Sequence, residues 1–388
     1  MKRIVFLMRL WPTFGGGETV TACLANAFVN RGYDVHVLFF KKTEERKSLP
    51  VDGRVKEILL SDIDCDETHA SEADSHGASS ILVDYVIHNG IDIVINQWWP
   101  VYYITDLKKR TGAVVIKCLH TAFLRQPDRR GLKGFLKYLF KRLYDKRNIR
   151  LSCFEVDAFR NFVDKYVFLS DSYVQEYLTY SGTYDKHWVT AIPNPCVFFD
   201  SVTDKDILIK DNIVLFVGRL VESVKRVSIV LKAWKEIEAD KRLIDWGLVV
   251  VGDGPDRDKY INMVNRLGLE RVSFEGFKDP APYYKKSKIS VMCSRFEGFP
   301  MTLVESQQFG CVPVVMDSFS ALHDIVSNQN TGLIVGNSVE SFKNGLSRLM
   351  MCNSQIETMA FGAVNNCKRF SVKAVCDKWE VLFNEIQG

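Results

Sequence analysis

Along all 388 residues, short runs of β-branched and aliphatic residues alternate with segments of helical periodicity. Such an alternation is satisfied by parallel sheets covered with helices, an α/β fold. In the first half the strands read at Ile4–Met8, Val35–Phe40, Ile91–Ile95, Ala113–Leu119 and Tyr166–Leu169, with helices at Thr19–Asn30 and Ile81–Asn89 between them. Pro193 and Pro195 break the pattern, and the polar stretch that runs on to Asp211 reads as an interdomain linker. A second series then begins, with strands at Ile213–Val217, Leu248–Val251, Val272–Glu275, Ile289–Met292, Val312–Val315 and Leu333–Val335. The duplication predicts two doubly wound, Rossmann-like domains facing each other across a cleft lined by the carboxyl ends of both sheets. The expected boundaries are 1–195 and 196–371. A last helix over 372–388 carries Val375, Trp379, Leu382 and Phe383 on one face and packs back toward the N-terminal domain.

The segment Glu297 to Glu305, EGFPMTLVE, places one carboxylate in a Gly/Pro turn and a second inside the following helix. KISVMC before it is a buried strand, Gly298 and Pro300 make the turn, and Met301–Phe309 is helical with Pro300 at its opening. The turn therefore lies at a strand's carboxyl end, where open α/β sheets bind ligands and the first free N–H groups of a helix hold phosphate. Acidic residues near a helix start often serve only the macrodipole. Glu305 lies past the first turn and Glu297 precedes the helix, so that explanation fits neither.

A pair of cations joins this pattern in VLFVGRLVESVKRV. Arg219 follows a buried strand directly, after Gly218, and Lys225 with Arg226 opens the next helix, where positive charge opposes the dipole unless an anion is near. Two fixed cations suit a departing diphosphate. Gly15, Gly16 and Gly17 separate the first strand from its helix, and Gly252, Asp253 and Gly254 make a similar turn in the second half; at both, backbone can approach a ligand closely. Neither is a GxGxxG dinucleotide fingerprint. His120 ends the apolar strand AVVIKCL and emerges at the same edge.

Composition sets the outer limits. With 47% hydrophobic and 25% charged residues the chain is a soluble globular protein. Its 10 cysteines are scattered singly, and the first residues read as a strand instead of a secretory leader, so reduced thiols and a cytoplasmic location are expected. No apolar run approaches the roughly 20 residues of a membrane span. Asp62, Asp64 and Asp66 have DxD spacing, but a calcium loop begun at Asp62 would want Gly where Glu67 stands and Glu where Ala73 stands. The polar stretch 61–76 therefore reads as a solvated loop, and no metal is required.

Residues 1–195 hold 27 basic and 23 acidic side chains, against 24 and 24 in the remainder, so the whole net charge of +4 belongs to the first half. Arg125 to Arg150 alone carries 10 basic and 2 acidic residues. Within it Leu132, Phe135, Leu136, Leu139, Phe140 and Leu143 share one face of a helix over 132–144, with Lys133, Lys137, Lys141 and Arg142 largely elsewhere. Two readings stay open: a basic amphipathic helix lying on the anionic inner face of a membrane, and an ordinary helix packing on the core. Nucleic acid is not expected, because no binding module accompanies the patch. Trp98 and Trp99, just beyond a strand, suit either sugar stacking or core packing.

These features together resemble glycosyltransferase family 4, retaining enzymes of the GT-B fold that use nucleotide-activated sugars. The likeness covers almost the whole chain and rests on GGGE at Gly15–Glu18, His120, IPNP at Ile192–Pro195, GRL at Gly218–Leu220 with Lys225, VGDGP at Val251–Pro255, and EGFPMTLVE. The resemblance implies that Arg219 and Lys225 bind the donor diphosphate beside Gly218 and Gly252, and that Glu305 holds the ribose hydroxyls. Glu297 and the loop amides of Gly298, Phe299 and Pro300 would position sugar and phosphate, His120 would contact the donor sugar, and Gly16 or Gly17 would border diphosphate and acceptor. Phe277 would border the base through its backbone. Two positions depart from the family's usual pattern: Arg226 stands where glycine is common, and Thr121 where aspartate is frequent. The expectation is a retaining transferase moving a sugar, from a UDP-sugar, to a glycan or lipid-linked glycan in surface polysaccharide assembly, with the nucleotide sugar as co-substrate and no cofactor. The alternatives are a nucleotide-sugar epimerase and a non-catalytic nucleotide-sugar binding protein.

Overall fold

A computed structural model of the chain describes residues 1–11, 15–42, 50–60, 72–124, 141–183, 185–198 and 202–387. It divides into two compact units. One comprises the described residues of 1–124, 141–197 and 371–387, and the other Phe198–Phe370.

The first unit is built on a seven-stranded parallel sheet: β1 (Arg3–Trp11), β2 (Asp34–Lys42), β3 (Lys56–Leu59), β4 (Ile93–Asn96), β5 (Val114–Cys118), β6 (Lys165–Phe168) and β7 (Val189–Ala191), ordered 3-2-1-4-5-6-7. The second has six parallel strands: β8 (Asp211–Val217), β9 (Gly247–Val251), β10 (Val272–Gly276), β11 (Ser287–Met292), β12 (Val312–Met316) and β13 (Leu333–Val335), ordered 10-9-8-11-12-13. Each order reverses beside its first strand, between β1 and β4 and between β8 and β11. That reversal is the switch point of a doubly wound sheet, where a crevice opens past the strand ends. The central strands are fully buried, Ile4 to Met8 and Val312 to Met316 throughout, as a sheet covered on both faces demands.

The strands read from sequence all form, with ends shifted by at most two residues except at β1, which runs on from Met8 to Trp11. Several features differ from expectation. β3 and β7 were not anticipated; both are edge strands, and β3 is mostly exposed and partly charged, so neither shows an apolar run. A helix spans Glu72–His88, so the final residues of the expected loop 61–76 are helical. The stretch taken for a linker contains a short helix, Asp204–Leu208. Its start is fixed by a capping box: Thr203 accepts from the Asp206 N–H while the Asp206 carboxylate accepts from the Thr203 N–H. The basic helix expected over 132–144 lies outside the described residues as far as 140, and the described helix runs Lys141–Asp157. Asp62, Asp64 and Asp66 also lie outside them.

The C-terminal helix Val372–Gln387 belongs to the first unit and buries Val375, Trp379, Leu382 and Phe383. Phe383 packs its ring 5.7 Å from that of Phe28 in helix Gly16–Asn30, and Arg31 pairs with Asp377 at 2.8 Å and Glu380 at 2.5 Å.

Candidate active site

In the second unit, the two loops that leave β8 and β11 carry the charged residues singled out above. Arg219, at the end of β8, is exposed and ion-paired to no carboxylate among the described residues. Lys225 donates from Nζ to Glu297 Oε1 at 2.5 Å, with side-chain exposures of only 19% and 15%. One cation and one of the two acids therefore meet in a mostly shielded pair, at the reversal point of the sheet. Lys225 lies two residues before helix Val227–Ala239, whose N-cap is Arg226. Glu222 supplies the start of that helix with an acceptor, taking hydrogen bonds from Ser228 Oγ at 2.6 Å and Tyr260 Oη at 2.8 Å.

Glu305 is buried in helix Met301–Gln308, with Tyr284 Oη donating to its Oε2 at 3.1 Å. Burial pushes its carboxyl up to about 7, against the opposing pull of the Tyr284 hydrogen bond and the Lys225 charge. That influence of Lys225 places Glu305 in the same electrostatic neighbourhood as the Lys225–Glu297 pair. A carboxyl poised between its two forms at neutral pH suits a partner that donates hydrogen bonds, since donors favour the ionised form.

The turn Gly298–Pro300 needs one correction to the expected amide cradle. Pro300 has no N–H, so the available donors flanking it are the amides of Gly298, Phe299 and Met301, the last at the unpaired start of the helix. The Phe299 side chain is buried and packs against Phe370, ring centroids 5.6 Å apart, so it anchors the turn. Phe277 follows β10 and is exposed.

Backbone packing accounts for the glycines of the second unit. A Cβ on Gly252, whose φ is 137°, would stand 2.0 Å from the Gly218 carbonyl oxygen, and one on Gly254 would stand 2.6 Å from that of Leu220. The turns after β8 and β9 are stitched there, Gly218 N–H to Val251 O at 3.0 Å and Leu220 N–H to Asp253 O at 2.8 Å. Gly218, with φ 152°, also adopts a conformation that side chains avoid.

In the first unit, His120 lies just past β5 and stacks on Trp98, ring centroids 5.0 Å apart. Its Nε2 is hydrogen-bonded to Gln97 Oε1, which makes Nε2 the protonated nitrogen of a neutral ring. Burial, and then the charge of Lys117, depress the imidazole to about 3. His120 Nδ1 and Trp98 Nε1 are both shielded from water and have no hydrogen-bond partner among the described residues. Gly17 makes room for this stack, since a Cβ there would come 2.8 Å from Trp98 Cζ2; Gly16 has open space around its Cα. Trp99, in contrast, is core. Its ring stacks on Phe40 at 4.1 Å and its Nε1 donates to Met8 O at 2.7 Å, so it offers no face to a sugar.

Sequence reasoning missed Tyr284, Gln97 and Glu222. Their partners Glu305, His120 and Tyr260 lie far along the chain, and no local pattern marks them. Among the described residues, no group of three or more His, Cys, Asp or Glu side chains is arranged to hold a metal ion.

Two switch-point sheets, one with an ion pair and helix amides at its strand ends, define a doubly wound α/β protein with charged groups gathered where such sheets bind ligands. Comparison with known proteins makes this specific. Residues 14–196 match the model of Glycosyltransferase Family 4, and residues 202–363 that of Glycosyl transferases group 1. The chain belongs to glycosyltransferase family 4, and its fold is GT-B. It is 29% identical over 203 residues to the GalNAc-alpha-(1->4)-GalNAc-alpha-(1->3)-diNAcBac-PP-undecaprenol alpha-1,4-N-acetyl-D-galactosaminyltransferase of Campylobacter jejuni, over 52% of this chain and 55% of that protein. It is 27% identical over 178 residues to the amylovoran biosynthesis glycosyltransferase AmsD of Erwinia amylovora, over 45% of this chain and 49% of that protein. The chain thus spans about half the length of these curated relatives. Among solved structures, Anabaena HepE in complex with UDP and glucose superposes with a TM-score of 0.71 at 16% identity, over 99% of this chain and 100% of that one.

Proposed function

We propose that the protein is a retaining glycosyltransferase that moves a sugar from a UDP-sugar to a glycan or lipid-linked glycan during surface polysaccharide assembly. The observation that carries the donor reading is the Lys225–Glu297 pair at the ends of β8 and β11, with Glu305 close enough to feel the Lys225 charge. Lys225 and Arg219 hold the diphosphate, whose charge grows as the sugar departs. Glu305, ionised, accepts hydrogen bonds from the ribose hydroxyls, and the amides of Gly298, Phe299 and Met301 orient phosphate and sugar. Catalysis then comes from orientation and charge stabilisation, with no protein nucleophile. The acceptor hydroxyl attacks the anomeric carbon from the face the diphosphate leaves, the sugar–phosphate bond breaks, and the departing phosphate oxygen takes the hydroxyl proton. The charge carried by Arg219 and Lys225 is the basis for proposing that no metal is needed. His120, neutral at working pH, contacts the donor sugar.

The relatives support the acceptor class. The Campylobacter jejuni protein is named for an undecaprenol diphosphate-linked acceptor and the Erwinia protein for amylovoran biosynthesis. A peripheral contact with the anionic inner face of the cell membrane, through 125–150, belongs to the same reading. On the described helix Lys141–Asp157, Arg147, Arg150, Leu151 and Phe154 are exposed at the spacing of a single face, cations beside apolar side chains. No described helix is long and apolar enough to cross a membrane.

The test is a panel of nucleotide sugars screened for thermal stabilisation, followed by transfer assays with lipid-linked acceptors. A ligand that binds the folded state raises its stability by mass action. Lys225→Ala and Glu297→Ala are each expected to lower turnover by about a hundredfold, as when a preorganised charge-stabilising group is lost. Near-normal rates in both contradict the proposal. Conversion of donor without any acceptor identifies an epimerase, and tight donor binding without turnover a sensor.

A further inference from the structure

The ladder between β8 and β11 ends at the pairing of Ser290 with Leu215, yet the loops that follow are joined again by two arginines. Arg226, in the loop after β8, donates from Nε to Cys293 O at 2.5 Å and from Nη2 to Ser294 O at 3.0 Å, and its Nη1 reaches Asn337 Oδ1 at 3.1 Å. Arg295, in the loop after β11, answers in the opposite direction: its N–H donates to Val224 O at 2.8 Å and its Nε to Ser223 O at 3.2 Å. Each loop therefore lends an arginine to backbone carbonyls of the other where strand pairing has stopped, and Ser294 O accepts from Ser318 Oγ as well.

Arg226 stands at φ 53°, ψ 44°, a left-handed conformation that favours glycine. Backbone preference alone argues against arginine at this position, and the guanidinium has a bond from all three nitrogens. Lys225 is the residue directly before Arg226, and Glu297 lies two residues beyond Arg295. Movement of either loop would be transmitted to the 2.5 Å contact between them.

We propose that Arg226 and Arg295 form a reciprocal clasp that sets the spacing of the two loops and so positions the Lys225–Glu297 pair. Arg226 is a positioning residue, and its side chain compensates for a backbone conformation that glycine would adopt freely. The consequence for donor binding rests on the function proposed above, whereas the clasp is testable without it. The coupling of Lys225 and Glu297 is measured by a double-mutant cycle of Lys225→Ala and Glu297→Gln in urea unfolding, first in the natural sequence and then with Arg226→Gly or Arg226→Lys. In the natural sequence the pair is expected to couple by about fivefold in the unfolding constant. With Arg226→Gly, which frees the backbone of strain and so keeps the fold, the coupling drops to within about twofold of none. Arg226→Lys keeps the charge but loses the fork, and it does the same. Coupling that survives unchanged in either variant overturns the clasp. UDP, GDP and ADP are then titrated in parallel. Lys225→Ala weakening none of the nucleotides that bind defeats the donor reading alone. An Arg226→Gly variant that binds nucleotide as tightly as the natural protein, while Lys225→Ala weakens it tenfold or more, overturns the positioning role.

Discussion

On the proposed reading, Glu305 makes nucleotide binding depend on pH, with a sign and size that follow from its burial. In the free protein its carboxyl is pushed up to about 7 from an ordinary 4.5. If ribose hydroxyls donate to it, the bound state favours the carboxylate and the value returns toward 4.5, so binding expels a proton. With those two values the apparent Kd for UDP is weaker at pH 5.5 than at pH 8 by about thirtyfold, and about 0.9 proton leaves per nucleotide at pH 6. The folded protein itself shows the reverse trend. Its raised carboxyl holds a proton that the unfolded chain has lost between pH 4.5 and 7, so this group costs about 3 kcal/mol of stability as pH rises through that window, and nothing below it. Calorimetric titration in buffers of different ionisation enthalpy counts the protons directly. Glu305→Gln is the necessary control, because the terminal phosphate of UDP titrates near pH 6 as well and that contribution persists in the variant. Identical pH slopes for the natural protein and Glu305→Gln would refute the reasoning.

Two further outcomes are expected. Gly252→Ala must place a Cβ 2.0 Å from the Gly218 carbonyl oxygen on a residue with φ 137°, so it is expected to cost about 3 kcal/mol or more in unfolding experiments; a loss under 1 kcal/mol would mean the stitched turns are not rigid. His120 is expected to remain neutral with its proton on Nε2 throughout pH 5 to 8, since its ring is depressed to about 3; long-range nitrogen–proton NMR correlations report the tautomer, and a titration centred near 6.5 would contradict the expectation drawn from its stack on Trp98 and its neighbour Lys117.

What was legible in the sequence divides along physical lines. Strands buried on both faces, such as β1 and β12, must be continuously apolar and therefore announce themselves, whereas β3 and β7 sit at sheet edges and need no such run. Lys225 and Glu297 were visible because Gly and Pro punctuate the ends of the strands before them, and strand ends are where α/β sheets bind ligands. Arg226 was visible as a cation at a helix start and as a departure from a usual glycine. Its left-handed backbone and its bonds to Cys293 and Ser294 depend on a strand more than sixty residues away, which no local pattern encodes. Trp98 and Trp99 are adjacent and chemically identical, yet the bend after β4 sends Trp99 into the core beside Phe40 and Trp98 onto His120.

The two sheets share one strand order but equip their switch points with opposite electrostatics. At the ends of β8 and β11 stand Arg219, Lys225 and the acids Glu297 and Glu305, a charged group suited to a diphosphate and a ribose. Beyond β4 and β5 stand Trp98, Gln97 and a histidine that resists protonation, its imidazole held down to about 3. The buried Lys117, donating to Gln97 O at 3.1 Å, strengthens that refusal, because a second positive charge beside it would be repelled. A neutral imidazole whose Nδ1 has no partner among the described residues can accept a hydrogen bond from a hydroxyl, whereas an imidazolium would have only donors to offer. On the proposed reading, anion recognition therefore belongs to the second unit and recognition of uncharged sugar hydroxyls to the first. The division follows from burial and neighbouring charge, and it explains how one fold used twice can present different chemistry from each copy.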